Sequence, residues 1–336
     1  MLAEARARTP VGASTGGRWY SRAFGLALAG EFKTKAFDLA AEPLDSSHVE
    51  LEVVSTRDFD RAWTPSDPIR KGTAELDDGT EFITIDFDPK LGYRMWCEQA
   101  GRYLIHPSGE RVVCAPGRLA MWGWQRFLIG QVLPLTAAVR GYEMLHASAV
   151  SLGGRAVAFL GDSAAGKTSL ATNMLLQGAE FMADDAIALE ARDGHVLAHP
   201  GPPVAAVRHA EVDRLSQAER RRLGVSMASN PKEVLFRISR YSGATPLGAM
   251  YFIDRTSPES RVEFEPITDP LLLISSTFNF VHRPPQGLAN LLDVSARIAA
   301  TAGVFHVMSP PEMGASALSA EIKRHAEALP ASELPR

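Results

Sequence analysis

Residues 161–168, near the middle of the chain, carry the residue types that bind phosphate. Gly161 is followed by four residues and then by Gly166, Lys167 and Thr168, which is the G-x-x-x-x-G-K-[ST] pattern. Backbone N–H groups of such a loop point at phosphate oxygens, and the following helix presents its positive end to them. In this pattern the lysine reaches the β- and γ-phosphates and the threonine hydroxyl binds Mg²⁺.

The residues around the loop favour a nucleotide site over a glycine-rich turn without a ligand. An apolar run, "AVAFL", enters the loop, and an amphipathic helical run, "TSLATNMLLQ", leaves it. The expected ligands are ATP and Mg²⁺. The predicted nucleotide contacts are Gly161, Asp162, Ser163, Ala164, Ala165, Gly166, Lys167, Thr168 and Ser169.

Two adjacent aspartates follow the loop after one helical and one strand-like run. We expect Asp184 at the carboxyl end of a strand beside the phosphate-loop strand, where α/β sheets bind their ligands. One carboxylate there suits Mg²⁺, so Thr168 and Asp184 are the predicted metal ligands. Consecutive side chains of a strand point in opposite directions, so Asp185 is assigned to accept the proton of an incoming hydroxyl. A turn or capping role for Asp185 is the alternative, and the sequence does not fix which aspartate takes which role.

His146 is placed near the loop by a predicted hairpin. If Gly153-Gly154 forms a two-residue turn between "MLHASAVSL" and "RAVAFLG", position 146 faces Gly161 across the hairpin. There it would orient an aspartate or contact the transferred phosphoryl group, whereas a purely structural histidine is the alternative. The predicted catalytic residues are therefore Asp185, His146 and Lys167.

The elements around these residues indicate an α/β core preceded by a β-rich region. We predict a flexible arm over 1–18, a small antiparallel β domain over 19–117 and a catalytic domain over 118–330. The β domain could dock the substrate or simply pack. The catalytic domain would open with a helix that is kinked or interrupted at Pro134. Further helices are expected over 211–224, over 269–280 with Asp269 as N-cap, and over 286–303.

Composition excludes several classes of protein. The chain has 336 residues, 46% hydrophobic and 22% charged, and a net charge of −4, so no general surface for nucleic acid or membrane is expected. Two cysteines, Cys97 and Cys114, fit reduced thiols better than a disulfide framework. The N-terminus has no apolar secretory core, and the longest apolar run is broken by Pro134. We therefore expect a cytoplasmic protein with no nucleic-acid or membrane partner.

Together these motifs resemble a known family. The stretch "LHASAVSLGGRAVAFLGDSAAGKTSLATNMLLQGAEFMADDAIAL" is similar to the catalytic domain of bacterial HPr kinase/phosphorylase. In that family a histidine precedes a G-D-S-G-x-G-K-[ST] loop and a V-A-D-D strand follows it, matching His146, residues 161–168 and residues 183–185 here. The resemblance implies a P-loop fold shared with phosphoenolpyruvate carboxykinases. It also implies transfer of phosphate from ATP to a serine hydroxyl of a protein, with the aspartate pair supplying the base and a metal ligand.

Two departures from the family shape the expected substrate. Ala164 replaces the middle glycine of the loop, and "AHPGPPVAAVRHAEV" stands in place of the family signature after the aspartates. We therefore do not carry over phosphorolysis, the hexameric assembly or HPr itself. The chain is also similar to HPr-kinase-like enzymes that accompany ribosomally made peptides, including lasso peptides, and phosphorylate a serine of the precursor. The expected partner is a peptide or small protein with a serine hydroxyl, and a homo-oligomer is left open.

Two other functions are compatible with the loop. The first is a small-molecule kinase or carboxykinase-like enzyme with a closed basic pocket, and the second is a non-catalytic, nucleotide-dependent switch. Arg208, Lys232, Arg237 and Arg240 are candidates to neutralise transition-state charge, although a solvated surface is the commoner role for such side chains.

Overall fold

The computed structural model describes residues 17–45, 47–75, 80–162, 164–258, 261–267, 277 and 285–330. It is a mixed α/β structure with several sheets. The chain forms two compact units, one ending at Tyr142 and the other beginning at Glu143. In the part that is described, no helix has the length and apolar character needed to cross a bilayer.

The N-terminal unit is built on one eight-stranded sheet. Its strands are β1 (Trp19–Ala23), β2 (Leu26–Gly30), β3 (Val49–Val53), β4 (Ile69–Glu75), β5 (Glu81–Asp88), β6 (Gly92–Cys97), β7 (Gly101–Ile105) and β8 (Arg111–Pro116). Their order in the sheet is β1-β2-β3-β8-β7-β6-β5-β4. The predicted antiparallel pattern is wrong at β3, which runs parallel to both β2 and β8. The connection after β2 returns the chain to the same end of the sheet, as a parallel pairing requires.

Three helical segments also belong to this unit: α1 (Thr56–Ala62), α2 (Met121–Phe127) and α3 (Leu133–Val139). Between α2 and α3 the chain forms a π-helical turn, Leu128–Val132, so the irregularity predicted at Pro134 is a wider helical turn just before it and not a break. The wider turn directly precedes Pro134, which has no N–H to donate and cannot join a regular α-helical ladder. Cys97 and Cys114 are both free thiols.

The second unit alternates strands and helices. Its strands are β9 (Glu143–Leu145), β10 (Ser148–Leu152), β11 (Arg155–Leu160), β12 (Glu180–Ala183), β13 (Ile187–Arg192), β14 (His195–His199), β15 (Val204–Arg208), β16 (Val225–Ser229), β17 (Glu233–Arg237), β18 (Thr245–Asp254), β19 (Glu263–Pro266) and β20 (Gly303–Met308). Its helices are α4 (Lys167–Leu176), α5 (His209–Val212), α6 (Gln217–Leu223), α7 (Pro285–Thr301) and α8 (Ala315–Ala328).

The main sheet of this unit has a parallel centre with antiparallel flanks. β11, β18 and β20 run parallel to one another. On one side β10 and β12 continue the sheet in the order β12-β10-β11, while β14, β13 and β9 join through the first residues of β18. β15, β17 and β16 form a separate three-stranded sheet. The carboxyl ends of the parallel strands therefore meet at one edge, where α/β sheets place their ligands.

The β10–β11 hairpin has the predicted register. Ser148 pairs with Phe159 and Leu152 pairs with Arg155, so two residues form the turn. Both turn residues, Gly153 and Gly154, have positive φ, 58° and 77°. A two-residue turn of this kind needs the left-handed conformation at both positions, which glycine adopts without a steric penalty.

Helices cover both faces of the main sheet. On one face α4 and α8 pack together, with Leu170, Met174 and Leu318 buried against Phe159 of β11. On the other face Ile298 of α7 packs in a separate buried cluster. The apolar run of β11 is buried because its alternate side chains enter these two cores.

Two helix predictions have a different outcome. Residues 211–224 were predicted as one helix, but the structure has two short helices, α5 and α6, because Ser216 caps a new start. Its side chain accepts from the Glu219 N–H while the Glu219 carboxylate accepts from the Ser216 N–H, which is a capping box. The helix predicted over 269–280, with Asp269 as N-cap, lies outside the described residues except for Thr277.

Candidate active site

The loop between β11 and α4 has three residues with positive φ, Gly161, Ala164 and Gly166. Gly161 has φ 136°, and a Cβ there would lie 2.9 Å from the Ile253 carbonyl oxygen of β18, so only glycine fits. Ala164 has φ 71°, and Gly166, at the N-cap of α4, has φ 95°. Ala164 is therefore a left-handed non-glycine residue, which has a cost in strain. Ser163 lies outside the described residues.

Lys167 is folded back onto this loop. Its side chain is buried, and the ammonium donates to the carbonyl oxygens of Gly161 at 2.8 Å and Asp162 at 3.1 Å. Burial lowers the pKa of Lys167, while the charges of Asp185, Asp184 and Asp162 act in the opposite direction. The first helical residue thus places a positive charge at the mouth of the loop.

Asp184 collects three hydrogen bonds at the carboxyl end of β12. Its Oδ1 accepts from the hydroxyls of Thr168 and Ser148, both at 2.7 Å, and its Oδ2 accepts from the Ala206 N–H at 3.0 Å. Burial first, and then the charge of Asp185, raise the pKa of Asp184 to about 7 against these hydrogen bonds. The carboxylate is fixed to the first turn of α4 through Thr168.

These oxygen donors fit the predicted metal. Mg²⁺ prefers hard oxygen ligands and takes only one or two carboxylates from a protein, with waters and phosphate oxygens completing its shell. Thr168 Oγ1 and Asp184 Oδ1 lie 2.7 Å apart, so the two oxygens are close enough to bind one ion. Among the residues the structure describes, no three His, Cys, Asp or Glu side chains form a metal cluster, so no all-protein cage is present there.

The strand order corrects one prediction. β12 does not lie beside the phosphate-loop strand; β10 lies between β12 and β11 and runs antiparallel to both. Because of this direction, the first residue of β10 lies at the edge where β11 and β12 end. That residue is Ser148, which is fully buried and joins the two neighbouring strands through Asp184. Sequence analysis missed Ser148, although the hairpin register, which sets it opposite Phe159, was a signal for it.

Asp185 occupies a turn and exposes its side chain. Its φ is 63°, and the Ala186 N–H donates to the Asp184 carbonyl at 2.8 Å, so the backbone makes a tight local turn between β12 and β13. The two interpretations left open by the sequence are compatible, because a turn residue in this conformation still directs its carboxylate to solvent.

His146, in the segment between β9 and β10, contacts this turn. Its Nδ1 lies 2.9 Å from the carbonyl oxygen of Asp185. A carbonyl can only accept, so Nδ1 carries the hydrogen and Nε2 is the unprotonated nitrogen of the neutral ring. Partial burial and then the charge of Lys167 lower the pKa of His146, against its hydrogen bond to Asp185 and the charge of Asp184. The imidazole is therefore neutral near neutral pH.

The remaining residues singled out in the sequence have other contacts or belong to other elements. The Ser169 hydroxyl donates to Glu211 of α5 at 2.5 Å, so its side chain anchors α4 instead of facing the loop. Arg208 ends β15, Arg237 ends β17 and Lys232 precedes β17. The Arg240 guanidinium donates to the Gly201 carbonyl at 2.5 Å.

A cavity of about 210 Å³ lies at the opposite end of the β10–β11 hairpin. Gly153 of the turn lines it, together with Arg155, Gly248 and Glu327. Because the phosphate loop leaves the other end of β11, this cavity is separate from the site.

Comparisons with known proteins add little. No protein-family model matches the chain, and no curated protein matches it. Among solved structures, the HPr(Ser) kinase/phosphatase from Coxiella burnetii aligns with 55% of this chain and 88% of its own, at 10% identity and a TM-score of 0.27. That score is too low to support a function, which has to be inferred from the site.

Proposed function

We propose that the chain is an ATP-dependent phosphotransferase that phosphorylates a serine hydroxyl of a peptide or small protein. The observation that carries the proposal is one hydrogen-bonded cluster at the end of β11. It joins the first turn of α4 to Asp184 through Thr168, with Lys167 over the loop and Asp185 next in the chain. A kinase needs an anion cradle, a metal position and a base in one place.

The residues divide the work by charge. Bound Mg-ATP would supply the phosphoryl group and part of the charge neutralisation that its transfer requires. Lys167 and the N-terminal N–H groups of α4 bind phosphate oxygens. Thr168 and Asp184 would hold the metal, and Ser148 and the Ala206 N–H keep the Asp184 carboxylate in position.

Asp185 is the proposed base and His146 its positioning residue. The Asp185 carboxylate takes the proton that the acceptor hydroxyl gives up. His146 donates to the Asp185 carbonyl and so holds the left-handed turn that aims this carboxylate. Left-handed backbone at a non-glycine residue costs about 1–3 kcal/mol and persists where its surroundings enforce it.

The exposure of the site favours a large acceptor. Asp185 and His146 are both exposed, so a hydroxyl on a peptide chain can reach them from solvent. A small-molecule kinase or carboxykinase-like enzyme is less compatible with this exposure, because small substrates bind in enclosed pockets. A nucleotide-dependent switch would need the loop and Asp184 but not the aimed carboxylate of Asp185.

The test is acceptor-dependent formation of ADP by the full chain with Mg-ATP, using serine-containing peptides, an HPr protein and small hydroxy compounds as acceptors. We expect a peptide or protein to stimulate the rate, and Lys167→Ala to reduce it by about 100-fold or more. Loss of activity on chelating Mg²⁺ should accompany this. A wild-type protein that binds no nucleotide, or binds it as well as Lys167→Ala, would overturn the proposal.

A further inference from the structure

A second cation lies beside the loop, on the side away from the aspartates. We infer that Arg255 is an additional phosphate-binding residue that contacts the polyphosphate chain of the nucleotide. This inference rests on the proposed function, because it assumes that the loop binds a nucleotide. Arg255 was not among the four cations singled out in the sequence.

Strand pairing places Arg255 at the site. β18 runs parallel to β11 and directly beside it, with Leu160 paired to Phe252. β18 ends at Asp254, so Arg255 is the first residue after the strand. The loop leaves β11 at the same edge, with Gly161 against Ile253. The phosphate loop is thus flanked by Asp184 on the β12 side and by Arg255 on the β18 side.

The guanidinium is held with one nitrogen toward the loop. Its Nη2 donates to the carbonyl oxygens of Met313 and of Pro311, the latter at 3.3 Å. Its Nη1 lies 3.8 Å from the point that a Cβ on Gly166 would occupy. Since Gly166 is the N-cap of α4, the guanidinium lies next to the N–H groups that bind phosphate.

The charge of Arg255 has no acidic counterpart in the described chain. Among the residues that the structure describes, no carboxylate forms an ion pair with it. Its neighbour Asp254 is engaged elsewhere, accepting from the N–H and hydroxyl of Thr256 and lying 3.6 Å from His306 Nε2. A partly buried guanidinium without a carboxylate partner is suited to bind an anionic ligand.

The donor inventory supports the same conclusion. A guanidinium has five N–H donors, and the two carbonyls occupy those on Nη2. Nη1 and Nε donate to no residue that the structure describes, which leaves their hydrogens for a ligand. With Lys167 and the α4 N-terminus, Arg255 gives the loop a third source of positive charge. A charged hydrogen bond of this kind changes affinity by about 10- to 100-fold.

The experiment measures the dissociation constants of Mg-ATP, Mg-ADP and AMP by titration calorimetry, and the melting temperature without nucleotide. Arg255→Ala should weaken the binding of Mg-ATP and Mg-ADP by about 10- to 100-fold and the binding of AMP by less. The melting temperature without nucleotide should not change. Arg255→Lys, which keeps the charge, should restore part of the loss. Arg261→Ala is the matched control, since Arg261 is exposed and pairs with Glu263, and it should bind as wild type does.

Three outcomes would overturn the inference. One is wild-type affinity in Arg255→Ala while Lys167→Ala loses binding; that result refutes the role of Arg255 and leaves the proposed function standing. A second is weaker binding in Arg255→Ala that comes with a lower nucleotide-free melting temperature and is not restored by Arg255→Lys. That result would show that Arg255 only holds residues 311–313 in place. The third is no nucleotide binding by the wild type, which removes the proposed function itself.

Discussion

Backbone strain marks the site at the scale of single residues. Four non-glycine residues in the described chain have positive φ, and two of them, Ala164 and Asp185, lie in the loop and at the aspartate turn. L-residues avoid this conformation, although Asp and Asn tolerate it best. Strain held at two positions around one cluster is typical of a site whose geometry is enforced by function.

Asp185→Asn should abolish transfer and leave nucleotide binding intact. Asn adopts the left-handed conformation as readily as Asp, so the turn is preserved while the base is lost. We expect the rate to fall by about 10²- to 10⁴-fold with little change in the affinity for Mg-ATP, measured by initial rates and calorimetry. Asp193→Asn is the control, because Asp193 is also left-handed, with φ 50°, at an exposed turn. Retention of full activity by Asp185→Asn would exclude Asp185 as the base.

Ala164→Gly should stabilise the protein. Ala164 has φ 71°, a conformation that costs an L-residue about 1–2 kcal/mol. Glycine avoids this cost, but its greater freedom in the unfolded chain cancels part of the gain. We expect a gain of about 1 kcal/mol in the free energy of unfolding, measured by urea denaturation. Ala165→Gly, at a neighbouring position without positive φ, should instead destabilise. Equal effects of the two substitutions would show that the loop is not strained at Ala164.

Asp184→Asn should have a pH-dependent effect on the metal-free protein. The pKa of Asp184 is raised from 3.8 to about 7 in the folded state. The protonated form is therefore favoured by folding, and the stability it provides is present at low pH and lost as pH rises through about 7. An uncharged Asn escapes this loss. In chelator, the melting temperature of the variant relative to wild type should rise between about pH 5 and about pH 8. A difference that is constant or falls with pH would contradict the raised pKa.

At the scale of elements, the direction of β10 assembles the site. It runs antiparallel between β11 and β12, which brings Ser148 to the edge where both neighbours end. The cluster therefore depends on one strand whose own residues carry none of the recognised motifs.

Ser148→Ala tests this strand without changing its pairing. It removes one hydrogen bond to Asp184, so we expect a loss of about 1 kcal/mol in the free energy of unfolding. The Mg²⁺ concentration that gives half-maximal activity should rise by about 10-fold. Ser151→Ala on the same strand is the control, since the Ser151 hydroxyl is buried without a hydrogen-bond partner among the described residues. If both variants behave alike, Ser148 has no special link to Asp184.

Local features of the site were predictable from the sequence, and long-range pairings were not. The loop, its flanking strand and helix, and the hairpin register follow from residue types and the Gly153-Gly154 turn. The insertion of β10 between β11 and β12, and the parallel direction of β3, depend on pairings between distant segments. Periodicity does not encode such pairings. For the same reason Arg255 was missed, and so was the contact of Ser148 with Asp184, although the hairpin register already set Ser148 opposite Phe159.

At the scale of the whole molecule, the proposed chemistry lies in the second unit. His146, the loop and both aspartates all follow Glu143, where that unit begins. The first unit is an eight-stranded sheet, and its role in docking a substrate stays a prediction.

The most direct test of the account is intact mass spectrometry of acceptors incubated with Mg-ATP and the full chain. The acceptors are serine-containing peptides, an HPr protein and small hydroxy compounds. Each is incubated with the wild type and, separately, with Asp185→Asn. The account predicts that a peptide or small protein gains the mass of one phosphate with wild type and none with Asp185→Asn, although both bind Mg-ATP. Binding of Mg-ATP by both proteins, with no acceptor modified by either, would contradict the kinase and favour a nucleotide-dependent switch.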